Sequence, residues 1–201
     1  YTLGRNSKEL VYVMPDNKTV YITDDGTNVS LFKFVMDTPK DLSSGTMYGA
    51  KMTQTSDENG GTFDIEWIEL GSSTQEELKE LLDSGITFAD IFETADPSED
   101  STCPDGFNSI NQGYAGQECL KVKEGMETAA AFLEMRRYTA YMGGTTEFSK
   151  WEGITYSASR KQLFTAMSEL RQGMEDNMSK GEEDASYDVG GPNSVKVAYN
   201  S

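Results

Sequence analysis

Apolar and polar residues alternate in several short runs along the first third of the chain, which is the pattern of β-strands with one buried face. Two runs, Leu10–Met14 and Thr19–Thr23, flank the turn sequence Pro-Asp-Asn-Lys and predict a hairpin. Three further runs predict strands over residues 30–36, 46–52 and 62–70. Short strands at this regular spacing predict an all-β sandwich, barrel or propeller.

The pattern becomes helical between residues 72 and 142. Residues 72–85 have an apolar stripe behind a Ser/Thr and Glu capping sequence, and residues 87–96 begin in a similar way. Residues 124–142 are rich in Ala, Met, Leu and Glu, end before two glycines, and predict the longest helix. We therefore predict a helical and looped insertion, after which strands return over residues 152–169 and 194–200.

The charge of the chain limits its partners. Asp and Glu total 34 against 17 Lys and Arg, for a net charge of −17. Such a chain repels nucleic acid and anionic membrane surfaces, and it has no apolar run long enough to insert into a membrane. Its acidity serves solubility, the binding of hard cations, or both. With no histidine, the sequence excludes a histidine-based triad and a zinc site with histidine ligands.

The two cysteines, Cys103 and Cys119, stand at the ends of a stretch rich in Gly, Asn and Ser. In a cytosolic protein they would be two unrelated thiols or a redox pair. A disulfide that closes a loop of this length, worth roughly 3 kcal/mol, is the more natural interpretation here. It favours an oxidising compartment.

Acidic residues stand at the ends of two similar hairpin sequences. The first runs from Glu9 to Asp24 and Asp25, and the second runs from Glu152 to Glu169. Because the two ends of an antiparallel hairpin are neighbours in space, each pattern brings its acids together. Clustered carboxylates are favourable when a hard cation lies between them, which makes these residues candidate metal ligands. The alternative is that they are ordinary solvated loop residues.

Three basic residues are also considered for the site. Lys150 lies two positions before Glu152, so both side chains point to one face of an extended chain. A cation beside metal-bound carboxylates suits a substrate phosphate, and a surface lysine is the plainer alternative. Arg136 and Arg137 lie on the longest predicted helix, where we predict that they cover a solvated or core-capping face.

Several of these segments resemble the PhoX-type alkaline phosphatases. The sequence GRNSKELVYVMPDNKTVYITDD, followed by LFKFV and SGTMYGAKM, is similar to one part of that family's pattern. The stretch METAAAFLEMRRYTAYMGGTTEFSKWEGITY, then LFTAMSE and YDVGGPNSVKVAYNS, is similar to a later part. The resemblance spans essentially the whole chain and is loosest over residues 53–125.

The resemblance implies a β-propeller enzyme that is exported to the periplasm or beyond and carries iron and calcium at the mouth of its channel. The predicted fold is then mainly β and a partial β-propeller. Its blades cover residues 1–71 and 143–201, the helical and disulfide-loop insertion covers residues 72–142, and all three belong to one larger propeller domain.

The resemblance also implies roles for single residues. Glu9 and Glu152 take the places of metal-binding glutamates, and Asp24 and Asp25 match an Asp pair that we assign to calcium. Lys150 replaces an arginine that binds phosphate.

This sequence departs from the family's pattern in two further respects. Lys8 stands where the family has a histidine. The family's iron-binding Cys and Glu belong to a segment that this sequence lacks, so we do not predict Cys103 or Cys119 as iron ligands. Because the chain opens at Tyr1 without a methionine, we expect a processed chain or a fragment that acts with remaining segments of the same protein.

The predicted function is metal-dependent hydrolysis of phosphate monoesters for phosphate acquisition, with Lys150 and Glu152 as catalytic residues. Two alternatives use the same acids. One is a calcium-binding propeller module without catalysis, and the other is a calcium-dependent lactonase or esterase.

Overall fold

The computed structural model describes residues 1–58, 61–113, 115–175 and 195–197. This part of the chain contains ten strands in three antiparallel sheets and four short α-helices, which confirms the prediction of a mainly β fold. The sheets of the described residues close into neither a barrel nor a propeller. The propeller and its division into blades therefore stay predictions.

Five strands form the largest sheet, in the order of the sequence. They are β1 (Val11–Val13), β2 (Thr19–Ile22), β3 (Phe32–Met36), β4 (Ser44–Ser56) and β5 (Thr62–Thr74). The predicted hairpin is confirmed, with Tyr12 opposite Tyr21. Strands β4 and β5 have 13 residues each and are longer than predicted, because their mutual pairing extends beyond the apolar runs.

The first predicted helix is confirmed as α1 (Gln75–Asp83), which begins at a complete capping box. The Thr74 hydroxyl accepts a hydrogen bond from the Glu77 amide, and the Glu77 carboxylate accepts one from the Thr74 amide. The second predicted helix is half wrong. Helix α2 (Phe88–Ile91) gives way at once to β6 (Phe92–Ala95).

Strand β6 forms because it pairs with β8 (Gln117–Val122), which also pairs with β7 (Asn108–Asn111). Cys103 and Cys119 are joined beside this sheet, with their Cα atoms 5.5 Å apart, so the predicted disulfide is confirmed. The prediction of a helical and looped insertion over residues 72–142 did not include β6, β7 and β8 and is corrected in this respect. Cross-strand pairing gives strand structure to residues whose apolar pattern does not show it.

The longest predicted helix is two helices. α3 (Glu127–Leu133) and α4 (Met135–Tyr141) are separated by Glu134, whose backbone is not helical (φ −133°, ψ 47°). The Arg5 amide donates to the Phe132 carbonyl at 2.7 Å, and the Arg5 Nε donates to the Leu133 carbonyl at 2.8 Å. These tertiary hydrogen bonds satisfy carbonyls at the end of α3 that a continuous helix would satisfy itself.

One hydrophobic core joins the helices to the five-stranded sheet. It contains side chains from both parts, among them Phe32, Phe34, Met47, Leu78, Phe132 and Met135. The close approach of α4 to the sheet depends on Gly49 in β4, because a Cβ atom there would lie 2.6 Å from the Thr139 side chain. The core therefore fixes the position of α4, whose residues reach the candidate site.

A second hairpin follows the helices, as predicted. It consists of β9 (Trp151–Ser157) and β10 (Gln162–Met167). A second apolar cluster contains Trp151 of this hairpin and Met52 of β4. Of the strand predicted over residues 194–200, only residues 195–197 are described; they form no strand, and the rest lie outside the described residues.

No helix in the described ranges has the length and apolar character needed to cross a lipid bilayer.

Candidate active site

The turn that follows β2 lies at the centre of the candidate site. The Asp24 side chain is fully buried, and Arg136 of α4 binds it through both carboxylate oxygens. Arg136 Nε lies 2.5 Å from Oδ2, and Nη2 lies 2.6 Å from Oδ1. The same Nη2 donates to the Asp25 carbonyl at 2.7 Å. The prediction that Arg136 covers a solvated or core-capping helix face is therefore wrong, because a buried carboxylate requires a cationic partner.

The pKa of the Asp24 carboxyl group depends on its burial and on its charged neighbours. Burial raises this pKa, and the Arg136 guanidinium, the Ser7 amide and the Lys8 ammonium oppose that rise. The Ser7 amide donates to Oδ1 at 3.0 Å. Burial also lowers the pKa of Lys8, against the attraction of Asp24. Asp24 is thus an internal ion-pair partner that fixes the turn.

Lys150 brings two of the predicted acids together. Its ammonium lies 2.7 Å from Asp25 Oδ1 and 2.8 Å from Glu152 Oε1. The hydrogen bonds with Asp25 and then Glu152 raise the pKa of Lys150. The hydrogen bond from Lys150, followed by one from Ser168, lowers the pKa of Glu152. Lys150, Asp25 and Glu152 thus form a charged triad, with two carboxylates around one ammonium.

The backbone at Lys150 supports this placement. Lys150 has a left-handed conformation (φ 49°), and its amide donates to the Gly26 carbonyl at 2.8 Å. The following amide, of Trp151, donates to the Asp24 carbonyl at 3.2 Å. The start of β9 is thus hydrogen-bonded directly to the turn that Arg136 holds.

Lys150 and Asp25 line a cleft of about 540 Å³, together with three charged side chains, Arg136, Glu169 and Arg171. Arg171 Nε lies 3.0 Å from Glu169 Oε2. Three cationic and two anionic side chains therefore line the cleft. Each of these cations is also paired with a carboxylate of the chain, so an anionic group bound here would share them with the protein's own acids.

Glu9 lies in a segment beside the turn, as predicted, but its side chain does not line the cleft. The Asp25 amide donates to the Ser7 carbonyl, and the Thr23 amide donates to the Leu10 carbonyl, so the segment that contains Glu9 runs beside the turn. The Glu9 side chain is exposed, and it is not among the described residues that line the cleft.

The carboxylates around the cleft do not fit a metal ion in this arrangement. Each has a cationic partner from the chain itself, in the pairs Asp24–Arg136, Asp25–Lys150, Glu152–Lys150 and Glu169–Arg171. Within residues 1–58, 61–113, 115–175 and 195–197, no three His, Cys, Asp or Glu side chains are grouped to hold a metal ion. A hard cation requires six to eight oxygen ligands. The ligand roles that the sequence predicts for Glu9, Asp24, Asp25, Glu152 and Glu169 stay predictions.

Sequence reasoning missed Arg136 and Arg171 as members of the site. One signal was available for Arg136. An acidic residue directly after a buried strand requires a cation if its side chain is buried, and Arg136 stands in the longest helical segment. The spacing of the sequence does not show that this helix breaks at Glu134, two residues earlier.

Comparison with known proteins identifies the family of this chain. The sequence model of the family described as alkaline phosphatase PhoX matches residues 1–191 of the 201 residues. No curated protein and no solved structure matches the chain. Because the family match covers nearly the whole sequence, the chain belongs to the PhoX family of alkaline phosphatases.

Proposed function

We propose that this protein hydrolyses phosphate monoesters in a metal-dependent reaction, outside the cytoplasm, and so serves phosphate acquisition. The observation that carries the proposal is the match of the phosphatase family over residues 1–191. The disulfide between Cys103 and Cys119 supports a periplasmic or extracellular location, because such bonds persist in oxidising compartments.

The cleft around Lys150 is the proposed phosphate site. Its volume of about 540 Å³ is within the range of small-molecule sites, roughly 300–1,000 Å³. The Lys150 ammonium stays charged because its pKa is raised, and a lysine binds phosphate as a point charge. Asp25 and Glu152 hold the ammonium in place, and a phosphate oxygen would accept from its third N–H donor.

Calcium and iron enter the proposal through the family alone. When bound, such ions would neutralise the phosphate and activate an oxygen nucleophile. The described carboxylates are paired with Lys and Arg side chains, and we assign no step of the reaction to a metal held by them.

The test is hydrolysis of p-nitrophenyl phosphate by the chain together with any remaining segments of the same protein, after loading with calcium and iron and again after dialysis against EDTA. We expect turnover that EDTA removes. Lys150→Met should lower kcat/KM about 10²-fold through the loss of electrostatic stabilisation. Glu152→Gln should also lower it, because the ammonium loses the charge of one of its two carboxylate partners. Lys121→Met is the matched control, because Lys121 forms a surface ion pair with Glu93 away from the cleft.

Three results would overturn the proposal. The first is a metal-loaded chain without turnover. The second is full activity in Lys150→Met and Glu152→Gln. The third is hydrolysis of lactones or carboxylic esters in place of phosphate esters, which would identify the calcium-dependent lactonase. If the first result is accompanied by a calcium-dependent rise in Tm, it would identify the calcium-binding module without catalysis.

A further inference from the structure

The start of β9 depends on the Asp24–Gly26 turn for its position. The amides of Lys150 and Trp151 donate to the Gly26 and Asp24 carbonyls at 2.8 and 3.2 Å. The Lys150 ammonium also binds the Asp25 carboxylate at 2.7 Å. A movement of the turn would therefore move both the backbone and the ammonium of Lys150.

Arg136 binds the same turn. Its planar guanidinium makes three hydrogen bonds to the turn, two to the Asp24 carboxylate and one to the Asp25 carbonyl. The Asp24 carboxylate is fully buried, and Arg136 is 21% exposed. Two parallel bonds fix the orientation of a carboxylate as well as its distance, which the point charge of a lysine does not.

We propose that Arg136 is a positioning residue for the reaction proposed above. It acts through the Asp24–Gly26 turn, which sets the place of the Lys150 ammonium in the cleft. The inference rests on the proposed function for its catalytic consequence. Its structural part, that Arg136 fixes the segment at Lys150 and Trp151, stands on the hydrogen bonds alone.

The main test compares Arg136→Lys with Arg137→Lys. Both changes keep the positive charge and lie side by side on α4, but Arg137 binds Glu118 and Glu134 instead of the turn. Misplacement of a catalytic group by about 1 Å can cost about 10² in rate. We expect Arg136→Lys to lower kcat by about that factor with a smaller change in KM, and Arg137→Lys to keep the wild-type kcat.

A second variant covers the case in which Arg136→Lys fails to fold. The double change Arg136→Gln with Asp24→Asn removes both charges of this ion pair, so neither member is left as a buried charge without its partner. It should fold, and its kcat should stay low because the guanidinium contacts to the turn are gone. Wild-type kcat in either folded variant would overturn the inference.

A fluorescence measurement separates this inference from the proposed function. The chain has two tryptophans, and Trp67→Phe leaves Trp151, which is 4% exposed, as the single reporter beside Lys150. In that background Arg136→Lys should shift the emission to the red, and Arg137→Lys should not. If the wild-type chain shows no hydrolysis, the proposed function fails while the shift still tests positioning. Unchanged emission in Arg136→Lys would overturn the positioning role.

Discussion

Single residues of the cleft are linked through their charges. Lys150 is bound between Asp25 and Glu152, and its pKa is raised while that of Glu152 is lowered. The Glu152 carboxylate stabilises the fold above its ordinary pKa of 4.5, and this contribution is lost as the pH falls through the lowered value. The Lys150 contribution is complete below 10.5 and is lost as the pH rises through the raised value.

A first prediction concerns the titration of Glu152. In the wild-type chain we expect its carboxyl carbon to titrate below 4.5 in a ¹³C NMR experiment. In Lys150→Met the midpoint should rise, because the hydrogen bond that most lowers the pKa is gone. Lys121→Met serves as the control with the same change of net charge. Equal midpoints in the wild-type chain and Lys150→Met would contradict the triad.

Some of these contacts between single residues can be predicted from the sequence. The expected proximity of Lys150 and Glu152 agrees with the ion pair between them. The strand period is not its cause, because Lys150 lies before β9 and has a left-handed backbone. The pairing of Asp24 with Arg136 joins residues 112 positions apart. No local pattern reports a contact at that distance, so the sequence does not predict Arg136 as the partner of Asp24.

The elements of the fold position the residues of the site, and one close contact between them joins β4 to α4. Gly49 leaves room for Thr139 of α4, and an added Cβ would lie 2.6 Å from both Cγ2 and Oγ1 of that side chain. Because α4 also contains Arg136, a change at Gly49 acts on the cleft without touching it.

A second prediction follows for Gly49→Ala. Overpacking of this kind costs about 1–3 kcal/mol, so we expect a loss of that size in the free energy of unfolding in urea, together with reduced hydrolysis. The double change Gly49→Ala with Thr139→Ala should recover stability, because Cγ2 and Oγ1 are removed and Oγ1 makes no hydrogen bond among the described residues. If the double variant is no more stable than Gly49→Ala, the steric explanation is wrong.

A third prediction concerns the disulfide beside the three-stranded sheet. The bond joins cysteines 16 positions apart, and a loop of that length corresponds to about 3 kcal/mol in the chain-entropy model. We expect the double change Cys103→Ser with Cys119→Ser to lower the free energy of unfolding by about that amount. Dithiothreitol should destabilise the wild-type chain similarly and leave the double variant unchanged. A wild-type chain that is insensitive to reduction would contradict this.

At the element scale the sequence predicts what local signals encode. The capping box at Thr74 and Glu77 correctly predicts the start of α1, and the turn signal between β1 and β2 correctly predicts the hairpin. The failures at β6 and at the break between α3 and α4 both arise from tertiary contacts. Pairing with β8 ends the second helix after Ile91, and hydrogen bonds from Arg5 accompany the break in a strong helical sequence.

The whole molecule carries a large excess of negative charge, −17 over 201 residues. Like charges that are held together in a compact chain repel one another, and salt screens that repulsion over a Debye length of about 8 Å at 0.15 M. The ten ion pairs among the described residues leave many acids without a nearby cation.

A fourth prediction is that Tm rises when sodium chloride is increased from about 0.01 M to about 0.15 M, where screening becomes effective. Choline chloride at the same ionic strength should give the same rise, because screening does not depend on the identity of the cation. A rise with sodium but not with choline would indicate specific ion binding. A constant or falling Tm would show that self-repulsion does not limit stability.

The contact of Arg5 with the end of α3 has a consequence for the order in which the chain folds. Arg5 meets Leu133, a partner 128 positions further along the sequence. During synthesis at about 5–20 residues per second, the first residues would wait on the order of ten seconds for that partner. The first hairpin can form in that interval, since its contacts are local. The opening segment of the chain is therefore expected to dock late, as the closing step that follows the folding of the helices.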